Sequence, residues 1–328
     1  MDQAAIVDCL QYANWSRDIF REMRAGGVHA VHVTIAYHET FREMVRNIEQ
    51  WNGWFEAFPD LIFQGRTGED ISQAIQQNRT AIFFGIQNPS PLENDIGLVE
   101  ICHTLGVRFI QLTYNNQSLC GSGWQEAHDG GISNFGREVI CEMNRTGIAI
   151  DMSHAGERTT LEAIELSARP VAVTHANPRF WRNELRNVSD DVIAALAETK
   201  GMLGLSLYPN HLKGGSKCTL REFCEMVAKV ADRHGPQMLG LGSDLCQGRA
   251  DRIVQWMRDG RWKKVSPAEG QLGGATFPEP MEWFSSNKDF PGIAVGLGDV
   301  GFSTEEVRAI MGGNWWRFFN ETFGNVTR

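Results

Sequence analysis

No run of basic residues occurs in this chain of 328 residues, whose formal net charge is −9. With the basic patch goes the usual electrostatic footprint of a nucleic-acid binder, so no such partner is expected. No apolar stretch is long enough to span a bilayer. Met1-Asp2-Gln3 leads into a strand-like run without a basic and then apolar leader, so neither a secretory signal nor a membrane partner is expected. The seven cysteines are odd in number, scattered, and never spaced C-x-x-C. Reduced thiols in a cytoplasmic protein fit better than a disulfide framework. Neither G-x-G-x-x-G nor a P-loop follows the first strand-like run, which weakens the case for an open doubly wound nucleotide-binding sheet.

What is present is an ordinary soluble balance, 42% hydrophobic and 22% charged residues, and an alternation of strand-like with helix-like segments. Strand-like runs cover 6–12, 30–35, 61–65, 80–87, 107–114, 148–154, 171–175, 201–207 and 238–244. Helix-like segments cover 16–25, 40–57, 93–105, 134–146, 157–167, 189–199, 219–234 and 304–320, with Ser189 as an N-cap. Several strand-like runs are apolar without alternation, as parallel strands buried on both faces are. The pattern predicts a (β/α)8 TIM-type barrel, α/β in class, formed by residues 1–328 as one domain. Nine strand-like runs for eight places leave one outside the barrel, and 61–65 lies in the shortest unit. Two long connections stand out. The polar, Gly-rich 115–133 follows a strand end and belongs at the mouth. The segment of about 246–292 carries Trp256, Trp262, Phe277, Trp283 and Phe284, as lids and interfaces do. That segment and the Trp315-Trp316 pair can bury a subunit contact, as in a homodimer, or close the barrel itself.

Three strand-like runs stop on a residue able to bind a metal or carry a proton. They are Gly147-Ile-Ala-Ile-Asp-Met-Ser-His154, Val171-Ala-Val-Thr-His175 and Leu239-Gly-Leu-Gly-Ser-Asp244. In a parallel barrel the strand C-termini share one mouth. Two imidazoles on neighbouring strands can chelate one ion, and a carboxylate can ligate a metal or serve as general base. Asp151, on the His154 strand, reads as structural. Gln87, Tyr114 and Asn115 end two further runs or open the loop beyond and line the mouth, where Tyr114 can donate to an oxyanion. Arg186 lies between the His175 strand and its helix, placed to clamp a carboxylate. Each has a plainer alternative: satisfied strand-end histidines, a helix N-cap at Asp244, a pocket wall without chemistry, a surface arginine.

The same residues resemble the membrane (renal-type) dipeptidase family of metallopeptidases, within the amidohydrolase-like barrels. The likeness spans nearly the whole chain and is densest from Phe135-Gly-Arg-Glu through His154, then at Thr174-His175, Arg186-Asn-Val-Ser-Asp-Asp191, Gly240-Leu-Gly-Ser-Asp244 and Met311-Gly-Gly-Asn-Trp-Trp-Arg317. The resemblance implies a barrel with two zinc ions at its mouth. It matches His154 and His175 to the histidines of one metal, Asp244 to the catalytic carboxylate that ligates the other, and Arg186 to the arginine holding the substrate carboxylate. The departures are equally definite. Where the family's first strand carries His-x-Asp, this chain has Leu10 and Tyr12. The bridging glutamate is Gln87, and a further active-site histidine is Tyr114. Two dications balanced by the one remaining carboxylate would be costly in a low-dielectric pocket.

The expected protein is therefore a metal-dependent hydrolase cleaving an amide bond in a small carboxylated substrate, dipeptide-like or N-acyl amino acid. Its catalytic residues are Asp244 and Tyr114. Arg186, Gln87 and Asn115 contact substrate, and His154 and His175 hold one Zn2+ or another divalent ion. The alternative is a barrel that has lost dipeptide hydrolysis and binds a small molecule or runs a metal-free reaction.

Overall fold

The structure, a computed structural model, describes residues 5–261 and 276–323. Trp262, counted above among the aromatics of the long connection, lies outside them. Ten strands form: β1 (Ile6–Ala13), β2 (Val28–Ala36), β3 (Ile62–Gln64), β4 (Thr80–Ile86), β5 (Val107–Gln111), β6 (Ala149–Asp151), β7 (Ala172–Ala176), β8 (Met202–Leu205), β9 (Leu239–Leu241) and β10 (Leu245–Gln247). All pair in parallel. Strands β1, β2 and β4 to β9 run in order around the sheet, and Asp8 opposite Leu241 closes β1 on β9, giving a barrel of eight. β3 pairs only with the first half of β4, while β5 pairs from Phe84 onward. The 61–65 run is thus the strand outside the barrel.

The helices between strands are α1 (Arg17–Ala25), α2 (Phe41–Ala57), α3 (Glu69–Gln77), α4 (Gly97–Thr104), α5 (Asn134–Thr146), α6 (Glu157–Leu166), α7 (Asp190–Glu198) and α8 (Leu220–His234). Five of the eight, α1, α2, α5, α7 and α8, are started by side chains that accept the orphan amides of the first turn. Thr40 with Glu43 and Thr219 with Glu222 form capping boxes, and Ser189 caps α7. After β10 come α9 (Asp251–Asp259), α10 (Phe290–Asp299), α11 (Thr304–Arg308) and α12 (Asn314–Thr322). The single helix expected over 304–320 is interrupted by a π-helical turn, Ala309–Gly313. A Cβ on Gly312 would come within 2.4 Å of the Ala5 carbonyl oxygen, so the wider turn lets this segment lie directly on the start of β1.

Packing falls into three layers. Outside the strands, the helices bury a large aliphatic and aromatic shell. Inside, small residues such as Ala30, Ala81, Ala149 and Ala172 leave room for Trp315, Phe318 and Phe319 of α12. The Trp315 indole nitrogen donates to the Leu241 carbonyl at 2.9 Å. Trp315 therefore closes the barrel itself. At the other end, Tyr12, Tyr37, Tyr114 and Met257 form a third cluster around the mouth. The expected long loop after Asp244 contains α9, which supplies Met257 and partly covers that mouth.

Candidate active site

Two buried aspartates hold the strand ends in place. Asp151, the last residue of β6, accepts from the Ser153 amide (2.9 Å) and hydroxyl (2.7 Å) and from the Thr174 amide (3.1 Å) and hydroxyl (2.7 Å). Asp8 of β1 accepts from the Ser243 amide (2.7 Å) and hydroxyl (2.5 Å) and from Gln11 Nε2 (2.8 Å). Each clamp grips the serine immediately before a site residue, His154 or Asp244. The strands are correspondingly shorter than the apolar runs: β6 stops at Asp151 and β9 at Leu241. Beyond them the backbone gives up sheet pairing to aim a side chain. Asn115, His154 and Asp244 have φ of 62°, 65° and 58°. Residues of these three types enter the left-handed region more readily than most, at a cost of about 1–3 kcal/mol each where the surroundings enforce it. After Asp244 the chain continues as β10 rather than a helix, so this carboxylate is not an N-cap.

The histidines are oriented from behind. His154 Nδ1 lies 2.7 Å from Asn115 Oδ1, which also accepts from the Trp124 indole N–H at 2.7 Å. An indole nitrogen only donates, so this oxygen is an acceptor and His154 Nδ1 carries the proton. His175 Nδ1 lies 2.8 Å from Thr174 Oγ1, whose own hydrogen goes to Asp151. It too carries its proton on Nδ1. Both Nε2 atoms are then lone-pair donors, and they face each other at 3.0 Å. Two lone pairs at that separation repel unless a cation sits between them. Such backing of a histidine by an acceptor is the usual support of a metal ligand. Two nitrogens bonded to one tetrahedral Zn2+ at about 2.0–2.1 Å stand about 3.3 Å apart, close to what is found. The donor set therefore fits one ion. It does not fit two: Leu10, Tyr12 and Gln87 offer no charge, and no trio of His, Cys, Asp or Glu among the described residues converges on a metal-sized site. Asp244 accordingly does not complete a three-residue ligand set with the two histidines.

A cavity of about 290 Å³ lies in front of His154, lined by Tyr12, Gln87, Tyr114, Arg186, His211 and Asp244 among others, and covered by Val254, Met257 and Arg258 of α9. Asp244 has no hydrogen-bond partner for its carboxylate among the described residues, and burial pushes it up to about 7 against the pull of Arg186. Burial lowers Arg186 to about 10, with Asp244 opposing. Its Nη2 donates to the His175 carbonyl at 2.9 Å, and its Nε has no partner among the described residues. Burial, then Arg186, holds His154, His175 and His211 well below the usual imidazole range. The rings are neutral near pH 7, as ligands must be. The Tyr114 ring stacks on His154 at 4.3 Å, and burial pushes its phenol upward. Gln87 Nε2 donates to Thr34 Oγ1 at 2.7 Å, and its Oε1 is buried without a partner among the described residues.

Of the residues expected at the site, Asp244, Tyr114, Arg186, Gln87, Asn115 and His154 line this cavity, while His175 lies fully buried behind His154. Asn115 stands differently from expectation, because its carbonyl is already committed to His154 and Trp124, which makes it a positioning residue. Residues of the wall that were not anticipated include Tyr208, His211 and Arg258. His211 follows the end of β8, with its Nδ1 2.8 Å from Ser206 Oγ. The strand-end rule applied to the 201–207 run stops at Leu207 and does not reach it. A larger, more open groove of about 810 Å³ beside His38 and Asn116 shares Tyr114 but neither histidine of the pair.

Comparison with known proteins agrees with the fold. A family model described as membrane dipeptidase (peptidase family M19) matches residues 8–259. The crystal structure of an amidohydrolase from Pseudomonas aeruginosa superposes with a TM-score of 0.91 at 33% identity, over 98% of this chain and 97% of the other. A metallopeptidase from Rhodobacter sphaeroides, solved with a phosphinate mimic of the dipeptide L-Ala-D-Ala, shares the fold at a TM-score of 0.80 and 16% identity, over 98% of this chain and all of that one. A dipeptidase of Claviceps purpurea is 27% identical over 289 residues, 87% of this chain, which spans 61% of that protein's length. On the extent of the family match and the shared barrel, the chain belongs to the membrane dipeptidase family, peptidase family M19.

Proposed function

We propose that this protein is a metal-dependent hydrolase that cleaves the amide bond of a small carboxylated substrate, a dipeptide or N-acyl amino acid. The observation that carries this reading is the pair of Nε2 lone pairs, 3.0 Å apart, each fixed by an acceptor behind its ring. His154 and His175 would hold one Zn2+ or similar ion, which supplies Lewis acidity and a lowered pKa for water. The protein's own groups account for the rest. Arg186 binds the substrate carboxylate. Asp244, in the same wall and without a partner of its own, takes a proton from the attacking water. It returns that proton to the amine nitrogen as the C–N bond breaks. The Tyr114 phenol, held protonated by burial, donates to the oxygen that gains charge. Gln87 fixes the other side of the wall.

Elemental analysis after chelator-free purification tests the reading. About one equivalent of a divalent transition metal is expected, lost in both His154→Ala and His175→Ala together with hydrolysis of dipeptides. Less than a few tenths of an equivalent in the unaltered protein would overturn it. A second reading, a barrel that binds a carboxylated molecule without hydrolysis, is favoured by the neutral residues Leu10, Tyr12 and Gln87. Under it no dipeptide is cleaved, yet such a ligand raises the melting temperature.

A further inference from the structure

A third histidine of the cavity wall has the opposite chemistry from the pair. His211 ends the short helical turn Pro209–His211 after β8. Its Nδ1 stands 2.8 Å from Ser206 Oγ, which also accepts from the Tyr208 amide at 3.2 Å. Ser206 is fully buried, and His211 Nδ1 is the only acceptor its hydroxyl hydrogen reaches among the described residues. A buried hydroxyl without an acceptor is costly. Ser206 therefore donates to Nδ1, and the ring proton sits on Nε2, at the edge turned away from Ser206. In His154 and His175 the proton is on Nδ1 and Nε2 is bare. His211 thus presents an N–H donor where they present lone pairs, and that atom cannot ligate a metal.

The backbone of His211 is tied to that of Arg186. The His211 carbonyl accepts from Asn177 Nδ2 at 3.3 Å and from Asn187 Nδ2 at 3.1 Å, and Asn187 follows Arg186 in the chain. Arg186 is also the charged group that acts most strongly on the His211 ring, ahead of Arg182. Arg186 spends one N–H donor on the His175 carbonyl, and its guanidinium makes no other hydrogen bond among the described residues. A cation and a neutral N–H donor held side by side complement the two oxygens of one carboxylate. We infer that His211 is a specificity-determining residue, whose Nε2–H takes one oxygen of the substrate carboxylate while the Arg186 guanidinium takes the other. The inference rests on the hydrolase reading for the role of Arg186, and narrows it to substrates that end in a free carboxylate. A terminal primary amide would set its NH2 against one of the two donors, as sites built around fixed hydrogen bonds reject mismatched analogues.

The test uses two amide-free ketones with the full-length protein in the presence of Zn2+. Levulinate is N-acetylglycine with a methylene in place of the amide N–H. Acetopropyl alcohol is the same chain ending in hydroxymethyl instead of carboxylate. Neither can be hydrolysed. Affinities are read by NMR titration of the ligand, and the tautomer by NMR of the histidine ring nitrogens at neutral pH. His211→Leu should bind levulinate about tenfold more weakly, as loss of a hydrogen bond to a charged group does, and acetopropyl alcohol as the parent does. His211→Gln, which keeps an N–H at similar reach, should restore most of the loss. A donor to the ketone, or a merely structural role, would weaken both ligands equally. That result, a loss of levulinate affinity under about twofold, no binding of levulinate to the unaltered protein, or a proton on His211 Nδ1 overturns the inference. Any of these alongside dipeptide cleavage sinks this inference alone. The expected split between the ketones, without metal binding or dipeptide cleavage, counts against the hydrolase reading alone.

Discussion

Replacing Ser243 by alanine removes one hydroxyl from the clamp that seats Asp244. That oxygen donates to Asp8 at 2.5 Å and accepts from the Leu245 amide at 3.1 Å. Leaving the buried amide without an acceptor costs about 1–3 kcal/mol. The carboxylate's loss is bounded, because Asp8 can take a proton instead. Burial already holds it at about 6, against the stabilising effect of Ser243. Protonating it at pH 7 costs about 1.4 kcal/mol. Together these give about 2–4 kcal/mol at pH 7. The direction with pH follows from the raised folded-state value: ionised Asp8 opposes folding as pH rises through about 6. Ser243→Ala raises that value further and so is most damaging above it. At pH 5 the carboxyl is protonated in both proteins, and the loss should shrink by about 1.4 kcal/mol. Urea unfolding of the two proteins at pH 7 and pH 5 measures both quantities. A loss under about 0.5 kcal/mol at pH 7, or a larger loss at pH 5 than at pH 7, would refute the clamp argument.

Three further outcomes are expected. Asn115→Ala strips the acceptor from His154 Nδ1 and should weaken metal binding about 10–100-fold in chelator competition, with Asn115→Asp retaining it; an alanine variant within about threefold of the parent counts against the proposed orientation. His32 is buried, with its ring lowered to about 3 by that burial, so it contributes stability above its unfolded value that drains away as pH falls towards 3. His32→Asn should flatten the stability curve by about 1.4 kcal/mol per pH unit between pH 6 and 4, and an unchanged slope in urea titrations removes the case. Trp315→Ala empties the barrel floor and should cost about 3–5 kcal/mol, read as a lowered urea midpoint at unchanged m; a cost below about 1 kcal/mol means the floor is held by other residues.

Barrel order and strand-end residues were legible because a strand buried on both faces writes an uninterrupted apolar run, and the run ends where the mouth begins. The places where the helices were missed have physical causes. α10 contains Gly292, Gly296 and Gly298, poor helix formers in isolation. A Cβ on Gly296 would stand 2.9 Å from Cys224 Sγ of α8, so close packing requires glycine where propensity disfavours it. α3 is a single short element, and α9 was hidden in a segment whose aromatics pointed only to burial. At the site, residue types were readable but tautomers were not. Those depend on Asn115 accepting from Trp124 and His154 and on Thr174 donating to Asp151, which require the barrel to bring 115 to 154 and 174 to 151. His211 was passed over because five residues separate it from Ser206, and only the short helical turn Pro209–His211 brings the ring back.

The aromatic floor has a consequence for how the molecule is made. Three of the largest side chains that fill the barrel interior, Trp315, Phe318 and Phe319, belong to α12, while the strands that line it begin at Ile6 and add Phe83 and Phe109. During synthesis, which presents the N-terminal part first, β1 to β9 emerge with only alanines and a few larger residues facing the axis. They can pair, but their interior lacks the packing of Trp315 and Phe319 until α12 leaves the ribosome. A polypeptide halted after α11 should therefore remain an expanded, dye-binding intermediate. Both the clamp on Asp244 and the histidine pair would wait on a helix from the opposite end of the barrel.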